Sequence, residues 1–201
     1  MTGARFSSRI LRRFVETVEL ELGAEQFSAM IGLSKLPAGW ANAGTFLKMN
    51  ATDAAKAYAS LQAAMRTYFG RGARGILLRV GQRLWNHVLD DAALASKAQA
   101  AVIKRLPVAA RRKSTLELVT RLLAGQPGDI TLHTLDLDLL LVDHVSPTAE
   151  GYQDAAPICF VTQGFIRESL IWATGQGYDV EEISCKARGD RDCEFKITTG
   201  K

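Results

Sequence analysis

The chain has 201 residues, 47% of them hydrophobic, and a formal net charge of +4. That length suits one large domain or a domain with a helical extension, and so apolar a composition excludes an intrinsically disordered chain. The charge is mild and no nucleic-acid motif accompanies it, so the basic residues read as solvated helix faces rather than as a nucleic-acid surface.

A mean hydropathy of +0.01 is high for a water-soluble chain. It implies apolar surface that is covered by a second subunit or lines a cavity. No run approaches the roughly 18 apolar residues of a membrane span. The first residues, MTGARFSSRILRRFVETVE, are basic but carry no continuous apolar stretch, so no secretory signal is read and a cytoplasmic location is expected.

In chain order, Phe6, Ile10, Phe14, Val18 and Leu22 fall at four-residue steps and predict a helix over 5–22, ended by Gly23. A second helix is expected over 24–33, with Phe27, Met30 and Ile31 inward. The stretch 36–50 reads as a loop broken by Pro37, Gly39 and Gly44, with Trp40 as a packed aromatic or the cap of a pocket or dimer contact. Thr52 is a good N-cap for a helix to Phe69 whose inward stripe is Ala54, Tyr58, Leu61, Met65 and Tyr68. A helix over 71–90 turns Leu77, Val80, Leu84 and Val88 inward. Helical sequence continues over 92–104, and Pro107 suits the first turn of a helix that ends near Gly125. Alternation of apolar and polar residues then predicts strands at 129–134 and 137–144, joined near Asp136 by a turn that lacks Gly or Asn. After a loop over 146–157 come a helix over 159–174, ended by Gly175, and strands at 178–187 and 192–198. The expected class is α+β: a helical N-terminal half packed on a four-stranded antiparallel sheet, with a C-terminal helix and a metal-stapled hairpin. Residues 1–50 are read as an N-terminal helical extension and dimerisation region, and 51–201 as the ligand-binding domain.

Several motifs carry less than their pattern suggests. Gly70, Gly72 and Gly75 spell the dinucleotide fingerprint, but a helical stripe precedes them where a strand is required, so they read as a helix–helix turn. Lys104, Arg105, Arg111, Arg112 and Lys113 cluster without interleaved aromatics. His87, His133 and His144 share no metal-ligand spacing, though His133 and His144 fall on neighbouring strands. No nucleophile–histidine–acid order appears, and no catalytic residue is assigned.

All three cysteines fall in one stretch, CFVTQGFIRESLIWATGQGYDVEEISCKARGDRDC, with Glu182 between them. Cys185 and Cys193 are symmetric about Gly189, which places them opposite each other across a hairpin, within reach of one metal. Glu182 precedes Cys185 by three residues, an odd offset that faces the other side of a regular strand. Sharing a metal therefore requires a bulge near Ile183 and Ser184. Cys159 begins a helix, where the dipole favours a thiolate. Cys159, Glu182, Cys185 and Cys193 would together give Zn²⁺ four protein ligands and no open position, a structural site. A disulfide across the hairpin and three small buried thiols remain the alternatives.

The segments APICFVTQGF and ATGQGYDVEEISCKARGDRDCEFKI resemble the 4-vinyl-reductase domain family, over about the last quarter of the chain. Similar segments end the ligand-sensing domains of phenol- and xylene-responsive bacterial activators and occur in a protein of bacteriochlorophyll synthesis. The fold is shared with small subunits of Golgi transport complexes. The resemblance implies that Cys159, Glu182, Cys185 and Cys193 bind zinc. No upstream position matches the sensors' phenol-contacting residues, so phenol itself is not implied.

Three functions follow as expectations. The first is a sensor or carrier domain that binds a small hydrophobic or aromatic ligand in an internal cavity, walled by Phe160, Phe165, Trp172 and Tyr178. The second is an enzyme or accessory protein acting on a vinyl-bearing tetrapyrrole, against which stands the lack of a credible electron-carrier site. The third is a dimeric scaffold. A homodimer is expected in the first and third.

Overall fold

The computed structural model describes residues 4–34, 36 and 43–200. Trp40 lies outside the described residues, as does much of the expected loop over 36–50. Eight helices and four strands follow in chain order among them: α1 (Ser8–Leu22), α2 (Ala24–Leu33), α3 (Ala43–Phe46), α4 (Ala51–Phe69), α5 (Ala73–Asp90), α6 (Leu94–Ile103), α7 (Val108–Leu123), β1 (Ile130–Leu135), β2 (Asp138–Asp143), α8 (Phe160–Thr174), β3 (Asp179–Ser184) and β4 (Cys193–Thr198). The sheet order is β1-β2-β4-β3 and every pairing is antiparallel. This is the expected α+β class.

The helical stripes bury what periodicity says they should. Phe6, Ile10, Phe14 and Val18 are buried, as are Leu77, Val80, Leu84 and Val88. Tyr68 departs from its stripe: it is exposed, with its ring edge-on to Phe69. α4 also begins before Thr52, because the Asn50 side chain accepts from the Asp53 N–H at 2.9 Å and caps the helix early. Gly70–Gly72 form a short 3-10 turn between α4 and α5, so the glycine pattern sits between two helices and not after a strand. The turn near Asp136 is real despite its composition. Asp136 adopts φ 50°, a left-handed conformation that Asp tolerates better than most residues.

One apolar core runs from α1 through α4, α5 and α8 to β2 and β4, so the first fifty residues share it with the rest. Its tightest contact is the crossing of α5 and α8. A methyl group on Gly81 would lie 2.1 Å from the Val161 carbonyl oxygen, and one on Gly164 would lie 2.1 Å from that of Leu78. The two glycines let the backbones touch. Trp85 then packs edge-on against both Phe165 and Trp172, at 5.3 Å in each case.

Candidate metal centre and adjoining cavity

Three local devices bring the four candidate ligands together. Cys159 is the N-cap of α8, and its backbone N–H donates to Glu182 Oε2 at 2.8 Å. The register of β3 against β4 shifts between Glu182 and Ser184, the bulge that the odd offset demanded. Beyond it the strand ends earlier than expected. Cys185 leaves β3 and opens a 3-10 turn, Lys186–Arg188, closed by Gly189 at φ 95°. Asp190 holds that turn by accepting from the Cys185 N–H and the Arg188 guanidinium, each at 2.9 Å. Cys193 starts β4, paired with Asp143 of β2.

The Cys159, Glu182, Cys185 and Cys193 donor atoms lie within 4.8 Å of one another, all four residues buried. Sγ of Cys193 is 3.6 Å from that of Cys159 and 3.9 Å from that of Cys185. A disulfide needs about 2.05 Å, which these separations exclude. A tetrahedron with metal–sulfur bonds of about 2.3 Å has an edge of about 3.8 Å, between the two observed values. Glu182 Oε1 is buried with no hydrogen-bond partner, a lone acceptor at the cluster. The Lys186 N–H donates to Cys193 Sγ at 3.3 Å.

Four acidic groups in one small buried space cannot all ionise unaided. Burial pushes the Glu182 carboxyl up to about 8. Hydrogen bonding to Cys185 and Cys193, with burial, holds the Cys159 thiol well above its usual value, while hydrogen bonds from Cys159 and Cys193 pull Cys185 down. Among the described residues the ion pairs include none of the four. A dication is the counter-charge such a cluster fits.

Next to it lies a small apolar cavity of about 20 Å³, with Phe6, Tyr58, Leu84, Asp143, Val161 and Phe165 among its lining residues. The cluster and the cavity share their walls. Val161 and Phe165 stand on the first turns of α8, just after Cys159. Asp143 Oδ1 accepts from the N–H groups of Val145 and Ser146, at 3.1 and 2.7 Å, and the Ser146 hydroxyl lies 3.5 Å from Cys159 Sγ.

Of the four expected wall aromatics, Phe165 lines this cavity. Phe160 lines a separate, more open pocket with Glu181 and Glu182, beneath the Arg74 guanidinium at 5.7 Å. Trp172 lies under Lys104 at 4.8 Å and Tyr178 under Arg112 at 5.7 Å, both half-buried. The basic cluster is thus partly spent on structure: Arg111 donates to the Leu106 carbonyl at 2.5 Å and also to that of Ala173, and Arg112 to that of Thr199. His144 pairs with Asp192 at 3.1 Å, and both His144 and His133 reach the Thr131 hydroxyl. Neither histidine lines the cavity. Asp143 was missed by sequence reasoning. Its one signal is a charge ending the apolar run LLLVD.

Residues 144–199 match the 4-vinyl-reductase domain family, the resemblance carried by the cysteine-bearing segments. No curated protein matches the chain in sequence. Among solved structures the fold is similar to the phenol-responsive sensory domain of the transcription activator PoxR with phenol, at TM-score 0.50 and 15% identity over 70% of this chain and 73% of that one. It is also similar to the Fe(II) unliganded H-NOX protein from K. algicida, at TM-score 0.57 and 11% identity over 97% of each chain. An H-NOX domain from Shewanella oneidensis in the Fe(II)CO ligation state gives TM-score 0.52 and 16% identity over 100% of this chain and 99% of that one. Identities this low speak to shared fold alone.

Proposed function

We propose that this chain, with its 4-vinyl-reductase-type C-terminal segment, is a small-molecule-binding domain, a sensor or a carrier, whose cavity wall is held by one structural zinc ion on Cys159, Glu182, Cys185 and Cys193. The observation that carries the reading is the shared wall: the cluster pins the start of α8 and, through Ser146, the segment after Asp143, and both segments face the cavity. Three thiolates and a carboxylate suit zinc, and four protein ligands leave no position for catalysis, so the ion's contribution is rigidity. Rigidity lowers the cost of binding where a wall must stay formed. Likeness to sensory domains supports the same reading at the level of fold. Elemental analysis is expected to give one zinc per chain, and native mass spectrometry of protein from its source is expected to give a retained small molecule. Well under one zinc in carefully prepared protein removes the metal part of the proposal.

A dimeric scaffold is the second reading, favoured by the size of the cavity: about 20 Å³ holds roughly one water. On either reading the chain is a homodimer that uses its N-terminal helices. Light scattering at micromolar concentration that gives a 21.9 kDa particle counts against that.

A further inference from the structure

Of the four metal-site residues, three are sealed from solvent and one is not. Cys185 and Cys193 are 0% exposed and Cys159 1%, whereas Glu182 keeps 7%. Glu182 also lines a surface pocket of about 230 Å³, with Arg74, Ala156, Phe160, Gln163 and Glu181, and none of the cysteines lines it. The carboxylate therefore stands between the thiols and the pocket. Its Oε2 is tied to the Cys159 N–H, and its Oε1 is buried with no partner. The β3–β4 register shifts directly after Glu182, so the ladder that carries it is locally disrupted. A carboxylate is also the hardest donor of the set, the one a borderline-soft ion gives up before its thiolates.

Charge favours the same opening. Glu181 is exposed at this pocket and forms no ion pair among the described residues. Arg74 opposes it, with its guanidinium 5.7 Å over the Phe160 ring. Two carboxylates against one guanidinium leave this pocket net negative. A second pocket, of about 490 Å³, opens beside the turn after Cys185 and is lined by Asp154, Ala155, Lys186 and Arg188. Its one carboxylate lies 3.9 Å from Arg66 Nε, and Arg188 pairs with Asp190 at 2.7 Å, so it offers a dication no free anion. We propose that the pocket at Glu182 is the route by which a dication such as zinc reaches and leaves the three thiols in the folded protein. Glu181 attracts the ion at the pocket, and Glu182 is the ligand that opens. The proposal rests on the zinc reading above. On it, the site exchanges its ion without unfolding, although the thiols are closed to solvent.

The test is cadmium-for-zinc exchange in the zinc-loaded full chain, with cadmium chloride as the probe, followed by stopped flow at the ultraviolet thiolate-to-cadmium absorption. Ala155 and Ala156 are neighbours in sequence, both exposed, and each lines a different one of the two pockets. Ala156→Trp fills the proposed route and is expected to raise the barrier enough to slow exchange about tenfold. Ala155→Trp fills the other pocket and should exchange at the parental rate. Glu181→Gln should slow exchange about threefold at low ionic strength and Arg74→Gln should speed it about as much, both effects fading at about 1 M salt. Should Ala156→Trp not fold, the last two variants decide: opposite shifts support the route, and no shift in either overturns it. Slow exchange in Ala155→Trp with the parental rate in Ala156→Trp overturns the route. One rate in the parent and all four variants overturns it too, as the mark of exchange through unfolding, while leaving the zinc reading in place. Elemental analysis giving well under one zinc per chain overturns both.

Discussion

Gly164→Ala separates local propensity from packing, because the two predict opposite signs. On an isolated helix the change is favourable by about 1 kcal/mol. At the α5–α8 crossing the new methyl would sit 2.1 Å from the Leu78 carbonyl oxygen. Non-bonded carbon contacts settle near 3.5 Å, so the helices must part by about 1 Å or more. Backbone atoms cannot swing aside as a flexible side chain would. Parting α5 from α8 also loosens the Trp85–Phe165 contact and the buried Leu77, Val80 and Ile166 around it. Overpacking of this kind costs about 1–3 kcal/mol and sometimes more, and a backbone obstacle belongs at the upper end. Net destabilisation of about 2 kcal/mol is therefore expected after the propensity gain is set against it. Urea unfolding followed by tryptophan fluorescence reads it as a lower midpoint at unchanged m-value. Since Cys159 caps α8, affinity for the proposed zinc ion should fall too. A variant as stable as the parent, or more stable, refutes the close-approach argument, and Gly81→Ala should then be benign as well.

Cys185→Ser is expected to lose zinc and at least about 3 kcal/mol of stability, a fall in Tm of about 6–12 °C, because metal binding and folding share one free energy. Chelator should lower the parent's Tm and leave the variant's unchanged; equal sensitivity of the two proteins contradicts the ligand assignment. Phe165→Ala, in the fully buried wall, should cost about 3–5 kcal/mol, whereas Trp172→Ala should cost less and leave ligand uptake untouched, as its ring lies under Lys104 and off the cavity. Thermal melts with and without ligand check both. Arg13 grips Asp91 at 2.5 and 2.7 Å and holds its carboxyl below the usual range. A depressed carboxyl contributes stability above its unfolded pKa of about 3.9, and that contribution disappears as pH falls through the lower folded value. Both side chains are partly exposed, so Asp91→Asn should cost less than about 1 kcal/mol at neutral pH, and the cost should shrink as pH falls below about 3.9; a cost that does not change with pH points to packing instead.

Much of this molecule is local and was legible along the chain. The three- and four-residue apolar steps of α1 and α5, the alternation in β1 and the glycine stop after Thr174 act over a few residues, and each produced its element. The bulge at Ile183 was also legible, because Glu182 and Cys185, an odd three residues apart, cannot face one site without it. What tertiary structure alone decided is whatever depends on two distant segments meeting. Gly81 and Gly164 look like weak points in their helices until each is seen to face the other's backbone. Phe160, Trp172 and Tyr178 stand near the cysteines in sequence, yet each lies against a cation from a distant part of the chain and away from the cavity. Asp143 reads as the polar end of a strand, and only the arrival of α1, α4 and α8 around it makes it a buried carboxylate in an apolar wall. Periodicity reports which face of an element is covered. It carries no information about what covers that face, and the polar end of the cavity is a property of the covering.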